Sequence, residues 1–207
     1  MTTTETITLK TIDSITLEVG DLAAAENFYA EAFGLGDRVR LRASDAATSG
    51  FRGYTLSLIV SQPSTVNALV GSAVAAGATT LKPVEKSMWG HGGVVQAPDG
   101  AIWKVATSAK KDTGPATRAI DNIVLLLGAT DVSASKKFYV DRGLTVGKSF
   151  GSYVDFAMGS SPIGLGLYKR RALAKDAGVP VEGTGSHRLV IGGGAGQLTD
   201  PDGFSWA

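Results

Sequence analysis

Few side chains in this sequence could transfer a proton near neutral pH. There are two histidines, His91 and His187, and no cysteine, which excludes disulfides, thiolate metal ligands and thiol nucleophiles. His187 lies in a run typical of a strand, where it could act as a general base beside a carboxylate such as Asp155. Its alternative is a structural role on a strand face. Glu18 is the other candidate catalytic acid.

Hydroxyl side chains follow two predicted strands at alternate positions. Ser14 and Thr16 alternate with apolar residues, and so do Thr55 and Ser57. A period of two places each pair on the face opposite the packed one. Such a face can hydrogen-bond a ligand but is poorly suited to hold a metal cation.

Aromatic side chains add further candidate ligand contacts. Trp89, in Trp89-Gly-His-Gly-Gly93, could stack on a flat ligand, and packing in the core or at a rim is the alternative. The glycines around His91 predict a turn there. Tyr153 and Tyr168 could line a site with His187 if all three share one cavity.

The predicted elements mix α and β structure. Asp21 and Asp131 are typical helix N-caps, because each precedes an amphipathic stretch. The patterns predict helices over 22–33, 64–76 and 132–141, a short helical turn over 172–177, and strands over 12–19, 39–42, 55–60, 79–82, 93–96, 102–106, 122–127, 146–150, 153–158, 164–168 and 187–191.

The motifs recur in the same order, which indicates that one structural unit occurs twice. Ile12-Asp13-Ser14-Ile15, Phe28-Tyr29 and Pro98-Asp99-Gly100 return as Ile120-Asp121-Asn122-Ile123, Phe138-Tyr139 and Pro201-Asp202-Gly203. The polar stretch 108–118 contains a Gly-Pro step and lacks an apolar period, which favours a linker. We therefore predict a first domain over 9–107 and a second over 119–207.

This arrangement resembles the vicinal oxygen chelate superfamily, which contains the glyoxalase, bleomycin-resistance and dihydroxybiphenyl dioxygenase proteins. The resemblance covers nearly the whole chain. Its most specific parts are Ser14-Ile-Thr-Leu-Glu-Val-Gly-Asp-Leu22 with Phe28-Tyr29, and Trp89-Gly-His-Gly-Gly93 followed by Pro98-Asp-Gly-Ala-Ile-Trp103. It implies an α+β fold of tandem βαβββ modules, whose mixed, curved sheets form cup-shaped sites.

The resemblance also implies where a metal would bind. Metal-dependent members carry His, Gln or Glu on the two opening strands and Glu on the last strand. The matching residues here are Ser14, Thr55 and Lys104 in the first unit and Asn122, His187 and Ala207 in the second. Only His187 retains ligand chemistry, whereas a catalytic divalent ion usually needs about three protein ligands. We expect no metal and no other cofactor, although a carboxylate-rich site with Glu18 or Asp155 stays open.

Spacing predicts that both units are incomplete. The interval from Ser14 to Thr55 is shorter than that from Asn122 to His187, so the first unit lacks a hairpin. The interval from His187 to Trp206 leaves no room for a helix, and Gly192-Gly-Gly-Ala-Gly196 is predicted to bypass it. The two cup-shaped sites would then not be equivalent, and the more open one could serve as a structural support for the other.

Composition excludes several partners. The 20 basic and 19 acidic residues are interspersed and leave a net charge of +1, which gives no case for nucleic acid or an anionic membrane. Lys169-Arg170-Arg171 is expected to be a solvated strand end, with anion capture as the alternative. Without a signal-peptide pattern or a membrane-length apolar run, we expect a cytoplasmic protein. A homodimer is left open.

Three functions follow from these observations. The first is a metal-free protein that binds a small, aromatic or natural-product ligand. The second is a glyoxalase-like lyase, isomerase or dioxygenase whose site is rebuilt from Glu18, His187, Asp155 and tyrosines. The third is a pseudoenzyme without a ligand.

Overall fold

The computed structural model describes residues 8–194 and 196–207. Its helices separate runs of consecutive strands, in an order close to the predicted one. They are β1 (Ser14–Val19), α1 (Leu22–Ala32), a 3-10 turn (Gly36–Arg38), β2 (Val39–Ala43), β3 (Thr48–Gly50), β4 (Tyr54–Ile59), α2 (Pro63–Ala75), β5 (Thr79–Ser87), β6 (Gly90–Gln96), β7 (Ile102–Thr107), β8 (Asn122–Ala129), α3 (Val132–Asp141), β9 (Val146–Phe150), β10 (Tyr153–Phe156), β11 (Ile163–Lys169), α4 (Arg170–Ala177), β12 (Gly183–Gly185), β13 (Leu189–Gly192), β14 (Leu198–Thr199) and β15 (Ser205–Trp206).

Two mixed sheets carry the fold, and each takes strands from both halves of the chain. The larger has eight strands in the order β5-β6-β7-β4-β8-β11-β10-β9, and the smaller has five in the order β14-β15-β13-β1-β2. At the centre of each, two opening strands pair antiparallel, β4 with β8 and β1 with β13. Strands β3 and β12 form a separate ribbon. The predicted α+β fold of βαβββ modules is confirmed.

The modules of the smaller sheet are reduced. In the complete modules the last strand is the parallel neighbour of the first, as β7 is of β4 and β11 is of β8. In the first module β2 takes that place after α1 and the 3-10 turn, with no hairpin between them in the described residues. In the last module no helix lies between β13 and β14 in the described residues.

The first and third helices begin where the sequence predicts. The Asp21 carboxylate accepts a hydrogen bond from the backbone N–H of Ala24 at 3.0 Å. That of Asp131 accepts from Ser133 at 2.9 Å and Ala134 at 3.1 Å. These bonds satisfy amides that have no partner within the helix. In the described part of the chain, no helix is long and apolar enough to cross a membrane.

One face of each sheet contributes to a shared main core with α1, α2 and α3. Alternate residues of β1, β4 and β7 point into it, among them Leu17, Leu56 and Trp103, all almost fully buried. Burying a side chain of this size contributes about 1.5–3 kcal/mol, so the period-two pattern determines which face of each strand packs.

The repeated motifs place a buried tyrosine against an aspartate in each half of the core. The Tyr29 hydroxyl donates to Asp99 at 2.7 Å and accepts from the Trp103 indole at 3.2 Å. The Tyr139 hydroxyl donates to Asp200 at 2.7 Å. Burial, reinforced by the neighbouring aspartate, raises the pKa of both tyrosines well above the usual value. These motifs therefore serve packing, as the default core interpretation predicts.

Candidate functional site

The eight-stranded sheet collects most of the predicted site residues on one face. We call this the inner face, defined as the side opposite the main core, where Ser57, Lys104, Leu126 and Tyr168 lie. Strand alternation places the following predicted residues on it: Thr55, Ser57, Lys104, Asn122, Tyr153, Asp155 and Tyr168.

The centre of the inner face carries no side chain suited to a divalent metal. Ser57 lies opposite Lys104 on one neighbouring strand and Val124 on the other, and Gly164 follows beyond Val124. A row of hydroxyl, ammonium, isopropyl and hydrogen does not provide the nitrogen and carboxylate ligands that transition metals need. Within residues 8–194 and 196–207, no group of three or more His, Asp or Glu could hold an ion. The residues present do not fit the metal that the resemblance implies.

Helix α4 covers part of the inner face. Leu173, Ala174 and Ala177 are almost fully buried there, against Val94 and Ile102 and their neighbours. The Lys104 ammonium forms an ion pair with Asp176 of this helix at 2.8 Å. The sequence predicts a helical turn here but gives no indication that it lies on the sheet.

An open cavity remains between α4 and the β5–β6 hairpin. We call it the hairpin cavity; it has a volume of about 560 Å³ and is lined by Trp89, Lys82, Lys86, Lys104, Val94 and Asp176, among others. Trp89 lies at the hairpin tip, and 81% of its surface is exposed. Of the predicted ligand contacts, the structure therefore brings Trp89 and Lys104 together.

His91 lies in strand β6 beside this cavity and not in the predicted turn. Glycines on the same strand permit close backbone approach, because a Cβ atom on Gly90 would lie 1.9 Å from the carbonyl oxygen of Thr107. Gly90 also has a φ of +127°, which side-chain-bearing residues rarely adopt. The glycines thus allow pairing with β7, a long-range requirement that a local turn pattern does not reveal.

The smaller sheet carries a second, polar cavity of about 780 Å³. Glu18 and His187 line it, and Ser14 and Thr16 lie on the same face of β1 as Glu18. The Glu18 carboxylate pairs with Arg42 at 2.6 Å. Asp155 lies on the other sheet, so the three predicted catalytic residues do not form one site.

His187 has both ring nitrogens engaged by the protein backbone. Its Nδ1 lies 2.5 Å from the carbonyl oxygen of Arg52, and its Nε2 lies 3.1 Å from that of Asp202. The ring also stacks on Phe204 at 4.1 Å between centroids. A base needs a free nitrogen lone pair, and neither nitrogen presents one to the cavity. This geometry favours the structural alternative for His187.

Tyr153 and Tyr168 meet away from His187. Their rings contact edge to face with centroids 5.9 Å apart on neighbouring strands of the larger sheet. Burial raises the pKa of Tyr153, and the nearby Asp155 adds to the shift. Burial also raises the pKa of Asp155, against the opposing effect of Lys148. The predicted partnership of these residues with His187 is not formed.

The residues at the implied metal-ligand positions are grouped differently in the structure than in the sequence. The reason is that each main sheet contains strands from both repeated units. Sequence analysis combined Ser14 with Thr55 and Lys104, and Asn122 with His187. In the structure Ser14 belongs to the smaller sheet and His187 lies just before its strand β13, whereas Thr55, Lys104 and Asn122 belong to the larger sheet. Strand pairing between distant segments is not encoded in local periodicity.

Comparison with solved structures identifies the fold. Glyoxalase I from Zea mays superposes with a TM-score of 0.63 at 16% identity, covering 95% of this chain and 90% of that protein. A point mutant of the same maize enzyme gives 0.62 at 14% identity, covering 95% and 92%. A Bacillus subtilis protein provisionally named a dioxygenase gives 0.58 at 12% identity, covering 95% and 72%.

The chain therefore has the vicinal oxygen chelate fold, as the sequence resemblance implies. More narrowly, the likeness to the maize enzyme runs over almost the whole length of both chains, so it is a likeness of the complete fold and not of one half. No protein-family model matches the sequence, and no curated protein matches it.

Proposed function

We propose that this protein binds a small organic molecule in the hairpin cavity, without a metal ion, as a member of the glyoxalase and bleomycin-resistance group. The observation that carries the proposal is Lys104 on the inner face, at the position that the resemblance gives to a metal-binding glutamate. It lies opposite Ser57 and beside a cavity with an exposed tryptophan. A lysine at the place of a glutamate exchanges metal coordination for anion binding.

The lining indicates the ligand class. Trp89 offers a large aromatic surface at the rim, and Ile59, Val94 and Ala106 provide apolar contacts. Lys82, Lys86 and Lys104 outnumber the acidic residues Glu85 and Asp176 in the same lining. A planar molecule that carries a carboxylate would satisfy both features through stacking and charge pairing.

A panel of aromatic carboxylates tests the proposal by isothermal titration calorimetry. W89A should weaken binding by about tenfold, since an aromatic contact of this kind contributes about 1–2 kcal/mol. F150A is the matched control, because Phe150 is also an exposed aromatic at a hairpin of the larger sheet but does not line the cavity. Equal losses in both variants, or no binding by any carboxylate, would refute the proposal.

A second candidate is a ligand-free structural protein. The contacts of α4 favour it, because they bury part of the face that would otherwise receive a ligand. The same titrations separate the two functions. The enzyme with a site rebuilt from Glu18, His187 and Asp155 is not favoured, because Asp155 lies on a different sheet from the cavity that Glu18 and His187 line.

A further inference from the structure

We propose that the part of the inner face covered by α4, which includes Val94, Ile102 and Lys104, is a cryptic binding site for a molecule with an apolar body and one carboxylate. We call this surface the α4 seat. In this structure the apolar side of α4 and the Asp176 carboxylate occupy the place that the ligand would take. The inference rests on the proposed function, because both locate the ligand on the inner face. It adds a second subsite next to the hairpin cavity and the condition under which that subsite opens.

The buried side of α4 has the chemistry of such a ligand. Leu173, Ala174 and Ala177 present a continuous apolar surface to Phe51 and Ile102. This cluster is separate from the main core, so it can be dissolved without exposing the residues that hold the two sheets together. An apolar molecule of similar size would recover the same burial.

The carboxylate of Asp176 corresponds to the carboxylate of the proposed ligand. Its Oδ2 lies 2.8 Å from the Lys104 ammonium, which projects from the centre of the sheet. Lys104 is the residue at the family's glutamate position, so the protein's own carboxylate now pairs with the altered site. A ligand carboxylate could replace Asp176 on Lys104 without leaving the ammonium unpaired.

Helix α4 has little intrinsic stability. It has eight residues, and no side chain caps its N-terminus. Arg170 and Arg171 lie in its first turn and Asp176 in its last, where their charges oppose the helix dipole. Lys175 in the last turn is the one charge of the helix that favours the dipole. Isolated helices shorter than about 12–15 residues are marginal in water. Its helical state therefore depends on the sheet beneath it.

Two further hydrogen bonds hold α4 in place, and the guanidinium carbon of Arg170 also lies 5.1 Å from the centroid of the Phe51 ring. Lys82 donates to the carbonyl oxygen of Lys175 at 2.9 Å, and Arg170 donates to that of Phe51 at 2.7 Å. Both bonds involve side chains that water can satisfy after displacement. With the Lys104–Asp176 pair, they are the bonds that a ligand has to replace or that α4 has to break.

A single cysteine reports the opening of α4 directly, because the natural chain contains none. A174C places a thiol on the buried side of α4, and A73C places one in the main core on α2; both alanines are at most 1% exposed. Thiol labelling should be at least roughly tenfold faster in A174C, since local opening requires less free energy than global unfolding. Equal rates would overturn the inference.

The ligand class is tested with 2-naphthoate and its neutral analogue 2-naphthalenemethanol. Naphthoate should accelerate labelling of A174C and leave A73C unchanged. D176N should tighten naphthoate binding by about three- to tenfold, because a larger fraction of the protein has the seat open. D141N removes the exposed Lys137–Asp141 pair on α3 and is the matched control, expected to leave binding unchanged.

K104Q distinguishes the two roles of Lys104, which are to bind the ligand carboxylate and to hold α4 on the sheet through Asp176. It should also accelerate labelling of A174C, but naphthoate should lose its advantage over the neutral alcohol. If naphthoate binds, W89A weakens it, and neither labelling nor D176N responds, the seat is refuted and the hairpin cavity stands. If labelling and D176N respond but W89A has no effect, the seat stands and the hairpin cavity is refuted.

Discussion

Tyr139→Phe removes the hydroxyl that donates to Asp200 while keeping the aromatic ring in the core. Asp200 is only 5% exposed, and its other oxygen accepts from the backbone N–H of Asp202 at 3.0 Å and of Phe204 at 2.8 Å. A hydrogen bond to a charged group contributes about 1.5–3 kcal/mol. We expect a loss of about 2 kcal/mol, which in a chain of this size lowers Tm by about 4–8 °C.

The loss should depend on pH in a defined direction. Burial raises the pKa of Asp200, and the hydrogen bond from Tyr139 opposes that shift. Because the folded-state pKa is raised, the stabilising contribution of Asp200 is complete below its unfolded pKa of about 4 and is lost as pH rises through the folded-state value. Without the hydroxyl the folded-state pKa rises further, so Y139F is most destabilised at neutral pH.

Urea denaturation followed by circular dichroism measures this difference. At about pH 4 the deficit of Y139F should shrink toward about 0.5–1.5 kcal/mol, since a protonated carboxyl makes only a neutral hydrogen bond. Y153F removes a half-buried tyrosine hydroxyl from the inner face and controls for the loss of a hydroxyl alone. A deficit that is the same at both pH values, or no larger than that of Y153F, would contradict the reasoning.

Four further predictions concern the glycines, α4, the rim of the cavity and the metal. G90A should lower the free energy of unfolding measured in urea by more than about 2 kcal/mol, because its Cβ would collide with the Thr107 carbonyl oxygen. G114A has open space around it and should lower that free energy by less than about 1 kcal/mol. L125A in the main core should lower the free energy of unfolding by about 2–5 kcal/mol. L173A should lower it by less, because a change in α4 cannot remove more free energy than the packing of that helix on the sheet contributes. W89A should leave Tm within about 2 °C of the parent, since its side chain is mostly exposed, so a loss of binding in calorimetry is not a loss of folding. Elemental analysis should find no stoichiometric zinc, nickel, manganese or iron, and a chelator should not lower Tm.

Local sequence patterns predict the elements well because their causes are local. Asp21 and Asp131 are recognisable caps since the amides they satisfy lie two or three residues away. The alternation around Ser57 identifies an inner and an outer face because strand side chains alternate strictly.

The site was less predictable because it depends on which strands pair. The tandem motifs suggest two self-contained units, yet β4 pairs with β8, whose residues lie beyond the predicted linker. That pairing separates Asp155 from His187 and brings Thr55 and Asn122 to one sheet. The burial of α4 was missed because a highly charged eight-residue segment resembles a solvated turn, although Leu173 and Ala177, four residues apart, share a helix face.

The altered metal position and the covered inner face are physically connected. An unpaired ammonium on a partly buried sheet face would lose hydration without compensation. Lys104 avoids this cost through Asp176, and Asp176 reaches it only because α4 follows β11 directly and turns back over the inner face. A carboxylate on the last strand would instead face Asp176 as a like charge and repel α4. We therefore expect K104E to release α4 more completely than K104Q, with faster labelling of A174C, and equal labelling rates in the two variants would show that charge does not hold the helix.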